Sequence, residues 1–267
     1  MAVNLDSDRL IVQAVQDFIL KIRDEKHIVN EVIRDDVFAI LKSECIVLFY
    51  ALEDNDVEGC HIVKPLNGEI RQFVFINTTK AVQEQTWTAA HELGHIWQVD
   101  IYIKEKTAQY ELDSESLVNR FAAELLLPEK IFRTILEDKL AEYEYKGPAM
   151  SRSMMVRLVT YLMNYFCTPY KAIIRRFGEL GYIEKSAEQQ YLNGFEGQLE
   201  FYRRLIKENQ YTRLETINRA YSIGNIEQDI NLLEENEIYS EKKVARLREM
   251  FHLRRLDVEE GTYNFGE

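Results

Sequence analysis

The stretch TAAHELGHIWQ, residues 88–98, decides how this chain is read, because it places His91, Glu92 and His95 at offsets of zero, one and four. On an α-helix, residues four apart lie one turn above each other on the same face. His91 and His95 therefore aim two imidazoles at one point, which is how a helix begins a metal site. Glu92, one position on, stands close to that face, where a base acting on water should be. The other side of the helix, with Thr86, Ala90, Leu93 and Trp97, is apolar enough to bury. Gly94 costs a helix interior about 1 kcal/mol against alanine, so a close approach by another backbone is expected there.

Two histidines do not complete a catalytic metal site, which takes a third protein ligand. Downstream, DSESLVNRFAAELLLP (113–128) offers two acids. Glu115 is the better placed. Ala122 and Ala123 are small enough to let its helix lie close to the first, and Asn119, four residues on, can hold either the carboxylate or a ligating imidazole from behind. Asp113 is the rival, nearer the helix start and facing another way.

Working outward, residues 6–26 carry Ile11, Val15, Phe18, Ile19 and Ile22 at intervals of three and four, an amphipathic helix. A short helix follows Asp35-Asp36. The period then changes: CIVLFYAL (45–52), CHIVKPL (60–66) and IRQFVFIN (70–77) are β-branched and aromatic with turn-like separators, which predicts a three-stranded antiparallel meander. Helical periodicity returns from Ala81 to Val99. A less regular stretch covers 100–112, and the Glu115 helix is stopped by Pro128. KGPAM (146–150) is a break. Residues 151–183 form two helices joined by a tight turn at 166–168, with Thr168 as the cap of the second and Pro169 at its first position. Beyond 186, charge alternates with apolar residues at helical spacing. Turns are expected near Asn209-Gln210, Gly224 and Tyr239-Ser240, and a frayed tail at 259–267.

The whole chain bounds these readings. At 267 residues, 46% hydrophobic and 29% charged, it can build a sizeable core without disulfides. Its three cysteines, Cys45, Cys60 and Cys167, have no C-x-x-C spacing and suit reduced thiols. The N-terminus has no signal-peptide core and no apolar run reaches about 18 residues, so neither secretion nor a membrane span is expected. The reading is a cytoplasmic protein. A net charge of −12 disfavours bulk nucleic-acid binding.

AAHELGHIW followed by ESLVNRFAAELLLPEKIF resembles the ImmA/IrrE family of metallo-endopeptidases. Its second signature is matched by Glu115, Val118-Asn119, Phe121-Ala122-Ala123, Leu125-Leu126 and Pro128. Val118 departs from the family's usual alanine. The match is specific over about 45–135, weaker over 150–183, and absent beyond 186. The resemblance implies an α+β, zincin-like core, a small antiparallel sheet plus helices. It also implies Zn2+ held by His91, His95 and Glu115, a metal-activated water with Glu92 as general base, and Asn119 supporting a ligand. It implies as substrate a helix-turn-helix transcriptional repressor, cleaved in a stress or mobile-element response. We expect a metallopeptidase domain over 1–148, a helix-turn-helix-like unit over 149–185 and an all-helical C-terminal module over 186–267.

Other signals are weaker. An oxyanion donor is expected, and Tyr102 and Tyr110 are both within chain reach, with nothing to choose between them. Arg152, Arg157, Lys171, Arg175 and Arg176 stand against Glu179 alone in 150–180. They make either a solvated basic face, a docking surface for a protein substrate, or a DNA-reading helix. His27, His61 and His252 lack metal spacing. The alternative from another functional class is a non-catalytic regulatory protein with a structural or vestigial metal site, its partner bound by the C-terminal helices.

Overall fold

The apolar spacing of residues 6–26 becomes one long helix, α1 (Leu5–Glu25), which sends Val15, Phe18, Ile19 and Ile22 into the core. The computed structural model describes residues 5–52, 57–66, 69–107, 112–145, 150–194, 199–215, 226–235 and 239–250. The chain forms two compact units, Met1–Ser222 and Ile223–Glu267.

In the first unit a 3-10 turn (Arg34–Asp36) leads into α2 (Val37–Glu44), followed by β1 (Ile46–Tyr50), β2 (Gly59–Leu66) and β3 (Glu69–Asn77). The sheet is mixed, not an antiparallel meander. Its order is β1-β3-β2, with β1 parallel to β3, Val47 opposite Val74, and β2 antiparallel to β3, Cys60 opposite Phe75. The reason lies in composition. β3 carries the fully buried Val74 and Ile76 and takes the centre. β2 carries Lys64 and Pro65, and a proline that cannot donate to a ladder belongs at a sheet edge.

Asn77, completely buried at the end of β3, ties the sheet to the helix after it. Its Oδ1 accepts from the backbone N–H of Leu52 and Thr79, and its Nδ2 donates to the Val57 carbonyl at 2.8 Å. One side chain thus fixes the exit of β1, the approach to β2 and the turn into α3 (Val82–Ile96). Glu84 then accepts the Ala81 N–H at the start of that helix, half of a capping box.

α3 ends where Gln98 adopts a left-handed conformation, φ 54°. Residues expected to be irregular form α4 (Val99–Lys106), because Val99 and Ile103, four apart and both fully buried, give it one apolar side. α5 (Ser114–Leu126) packs across α3, and α1 lies against both α4 and α5. α6 (Glu129–Glu142), α7 (Arg152–Phe166) and α8 (Tyr170–Glu179) come next. Between α7 and α8 the chain reverses through Cys167 at φ 54°. Thr168 is not the cap. It is fully buried, its hydroxyl has no hydrogen-bond partner among the described residues, and the N-cap falls on Pro169. α9 (Lys185–Gly194), α10 (Leu199–Glu208) and α11 (Thr212–Glu215) complete the unit, with α10 packed on α7.

The second unit contains α12 (Ile226–Glu235) and α13 (Glu241–Met250), paired through buried Ile230 and Val244 and by Arg248 donating to Asn231 and Glu234. The turn expected at Gly224 and the tail at 259–267 lie outside the described residues. No helix among the described residues is long and apolar enough to cross a membrane.

Candidate metal centre

α3 turns one face to the core and one to a cleft. Thr86, Ala90 and Leu93 are fully buried, whereas His91 and His95 are only partly covered. The two Nε2 atoms face each other at 3.1 Å. Glu115, in the first turn of α5, brings one carboxylate oxygen to 3.3 Å from His91 Nε2 and the other to 3.4 Å from His95 Nε2. These three ligand atoms lie within 4.8 Å of one another, the one His/Cys/Asp/Glu trio of this kind among the described residues. Glu115 remains 62% exposed, so the trio opens to solvent.

Asn119 Oδ1 accepts from His91 Nδ1 at 3.1 Å. A proton held on Nδ1 leaves the lone pair on Nε2, directed at the trio. Burial, and then the neighbouring His95, push the His91 pKa down, and only partly do Asn119 and Glu115 oppose them. The ring therefore favours the neutral form, which is the one that can ligate. Two imidazoles and a carboxylate around one point are a donor set that suits zinc and neighbouring divalent ions.

Glu92 is 6% exposed. Burial first, and then repulsion from Glu115, raise its carboxyl to about 7. A cation among the three donors acts the other way, favouring the ionised base. Burial raises the thiols of Cys45 and Cys60, with Glu44 and then Glu92 adding to the effect at Cys45 and Glu92 at Cys60. Neither joins the trio.

The structure separates the two acids of the second signature by role. Asp113 is the N-cap of α5, its Oδ2 accepting from the Ser116 N–H and hydroxyl at 2.8 Å, and it is not part of the trio. Gly94 meets side chains where a backbone was expected: a Cβ there would lie 2.8 Å from Val118 and 3.0 Å from Phe121. Val118, the departure from the usual alanine, thus fills the space over Gly94, and the pair sets how closely α5 crosses α3. Tyr102 packs its ring 5.0 Å from that of Phe18, with Lys21 and Lys106 over its faces. Tyr110 lies outside the described residues.

Sequence reasoning missed two supports of the site. Ser114, next to Glu115, donates to Asp100 at 2.7 Å and accepts from Lys104 at 2.5 Å, which pins the start of α5 to α4. Arg176, read as part of the basic cluster, is 1% exposed and forms a two-pronged bridge to buried Glu124 of α5, at 2.7 and 2.8 Å. An acid embedded in AAELLL was the available signal, since a carboxylate among apolar neighbours needs a buried partner. With six residues of α8 buried, including Arg176, only Lys171 and Arg175 of its cations face outward.

Residues 44–177 match the family model described as the IrrE N-terminal-like domain. The matched segment is half of the chain and contains the sheet, α3 to α7 and most of α8. No curated protein matches the chain. The chain belongs to the ImmA/IrrE family of metallopeptidases.

Proposed function

We propose that this metallopeptidase-family member is a zinc-dependent endopeptidase whose substrate is a helix-turn-helix transcriptional repressor, cut in the cytoplasm during a stress or mobile-element response. The convergence of His91, His95 and Glu115 on one point, with Glu92 buried beside it, carries the catalytic part of this reading. The repressor rests on resemblance of the two sequence signatures. A chain of net charge −12 also suits docking of a basic DNA-binding protein. Residues 1–148 carry the chemistry, 149–185 dock substrate, and 186–267 form an accessory helical module.

His91, His95 and Glu115 would hold the ion, which when bound supplies Lewis acidity toward a peptide carbonyl and a water. Glu92 accepts the proton as the water attacks the carbonyl carbon, then hands it to the departing amine nitrogen. Asn119 keeps the His91 ring in one tautomer and one orientation. β2, an outer strand of the sheet among the described residues, offers backbone groups to an extended substrate strand.

Elemental mass spectrometry on purified protein offered zinc tests the site. Wild type should hold one zinc per chain and Glu115→Ala none, while Glu92→Gln should keep the metal. On a pool of denatured peptides, Glu92→Gln should cleave about 10²–10⁴-fold more slowly than wild type. A wild type that takes up no zinc, or a Glu92→Gln variant as active as wild type, overturns the reading.

A further inference from the structure

One turn before His91, on the same face of α3, stands Trp87. It forms part of the floor of a cavity of about 670 Å³ where the start of β2, α3, α8 and α9 converge. That size falls in the usual range for sites that hold small ligands, about 300–1,000 Å³, and is ample for one large side chain and its neighbours. Pro169, Tyr170, Ala172 and Leu192 supply the rest of its apolar surface. The wall is built in. Tyr170 donates its hydroxyl to the Tyr191 carbonyl at 3.1 Å, fastening α9 to α8, and the Glu188 carboxylate of α9 rests over Gly178 of α8. On the opposite side, Gly59 at the start of β2 lies against Thr88, the neighbour of Trp87.

The rim carries two acids, Glu58 and Glu84, and two cations, Lys171 and Arg175. Glu84 is already engaged with the Ala81 N–H. Balanced charge around an aromatic floor selects neither an acidic nor a basic occupant. It favours a flat apolar one, which stacks on Trp87 while the cations lie over its face.

We propose that this cavity is the specificity pocket of the peptidase, holding a large apolar or aromatic side chain of the substrate close to the scissile bond. The proposal rests on the peptidase reading above. Four residues of helix separate Trp87 from His91 by about 6 Å along the axis. An extended peptide advances about 3.3 Å per residue, so the side chain that fills the pocket belongs to a residue about two positions from the bond that is cut. It also gives the outward-facing cations of α8 a task in recognising substrate.

Two readouts test this. The first is the cleavage profile of zinc-loaded protein on a pool of denatured peptides, for wild type, Trp87→Ala and the pocket-filling Leu192→Trp. Wild type should select phenylalanine, tyrosine, leucine or methionine at one position near the cut. Trp87→Ala should lose that preference, with a rise in KM of about tenfold and a smaller change in kcat, and Leu192→Trp should shift it to small side chains. The second readout does not need catalysis. The chain has two tryptophans, Trp87 and Trp97, so in Trp97→Phe protein the emission reports Trp87 alone. Blocked phenylalanine amide should shift that emission and shield it from acrylamide, and blocked alanine amide should not. Cleavage with no side-chain preference and no phenylalanine response overturns the pocket and leaves the peptidase standing. A phenylalanine response without any cleavage by wild type overturns the peptidase reading and leaves the pocket as a binding site.

Discussion

Helix α5 carries two glutamates nine residues apart whose surroundings are opposite. Glu115 is 62% exposed and faces two imidazole nitrogens at 3.3 and 3.4 Å. Glu124 is 2% exposed and saturated: Arg176 grips both of its oxygens, Arg120 reaches it at 3.2 Å, and Arg120 and Arg176 are joined in turn to Glu179. In the second cluster every charge meets an opposite charge, so the group is complete without any guest. In the first, two imidazole nitrogens and a carboxyl group converge on one point. Converging donor atoms with no counter-charge set the trio apart from the structural bridge on the same helix.

The largest expected effect breaks the saturated side. Glu124→Ala takes the two-pronged partner from the Arg176 guanidinium at 1% exposure and leaves it Glu179 alone. Removing one partner of a buried ion pair costs about 3–5 kcal/mol, a large share of the roughly 5–15 kcal/mol that holds a domain together. Chemical denaturation should show that loss, while zinc per folded chain stays at the wild-type value. The double replacement Glu124→Leu with Arg176→Met should recover most of the stability, because an apolar pair of similar volume has no charge to desolvate. A single variant as stable as wild type would mean the bridge contributes nothing. Glu115→Ala should give the converse result, metal lost and the metal-free fold unchanged.

A smaller effect sharpens the open side. Asn119→Ala removes the group that orients His91 and keeps its proton on Nδ1. Loss of such a support typically weakens metal binding about 10–100-fold. Competition against a zinc chelator should show that weakening with no change in stoichiometry. Unaltered affinity would mean that packing alone holds the ring.

Much of this was legible in the sequence, and the rest was hidden for physical reasons. The 3.6-residue period put His91 and His95 on one face of α3 directly in HELGH, and small residues marked α5 as its close neighbour. Strand pairing was misjudged because apolar content gives the strands but not their order. The proline in β2 was the readable signal, because it marks an edge strand and a meander would put β2 at the centre. Arg176 looked like one of five surface cations, because an arginine's partner 52 residues away leaves no local trace. Asn77 and Ser114 act through hydrogen bonds that no periodicity encodes.

Ser114 yields the smallest prediction, and it concerns pH. Its hydroxyl bonds to Asp100 and accepts from Lys104 in a partly buried cluster that holds the first turn of α5, and so Glu115, against α4. Burial acts to raise the Asp100 carboxyl, but the Ser114 hydroxyl, the Ile101 N–H and Lys104 together outweigh it and leave the pKa below its ordinary value of 3.8. A carboxylate with a depressed folded-state pKa contributes stability in full above its unfolded value and loses it as pH falls through the folded one. Ser114→Ala should therefore cost about 0.5–1.5 kcal/mol near neutral pH, the worth of one such hydrogen bond. The gap between variant and wild type should narrow as the pH drops below about 4, where protonation of Asp100 begins to remove the same interaction from both. Denaturation curves from pH 7 down to pH 3 check this. A gap that stays constant across that range would show that Ser114 stabilises the helix start independently of Asp100, and the link between α4 and Glu115 on α5 would then run through packing alone.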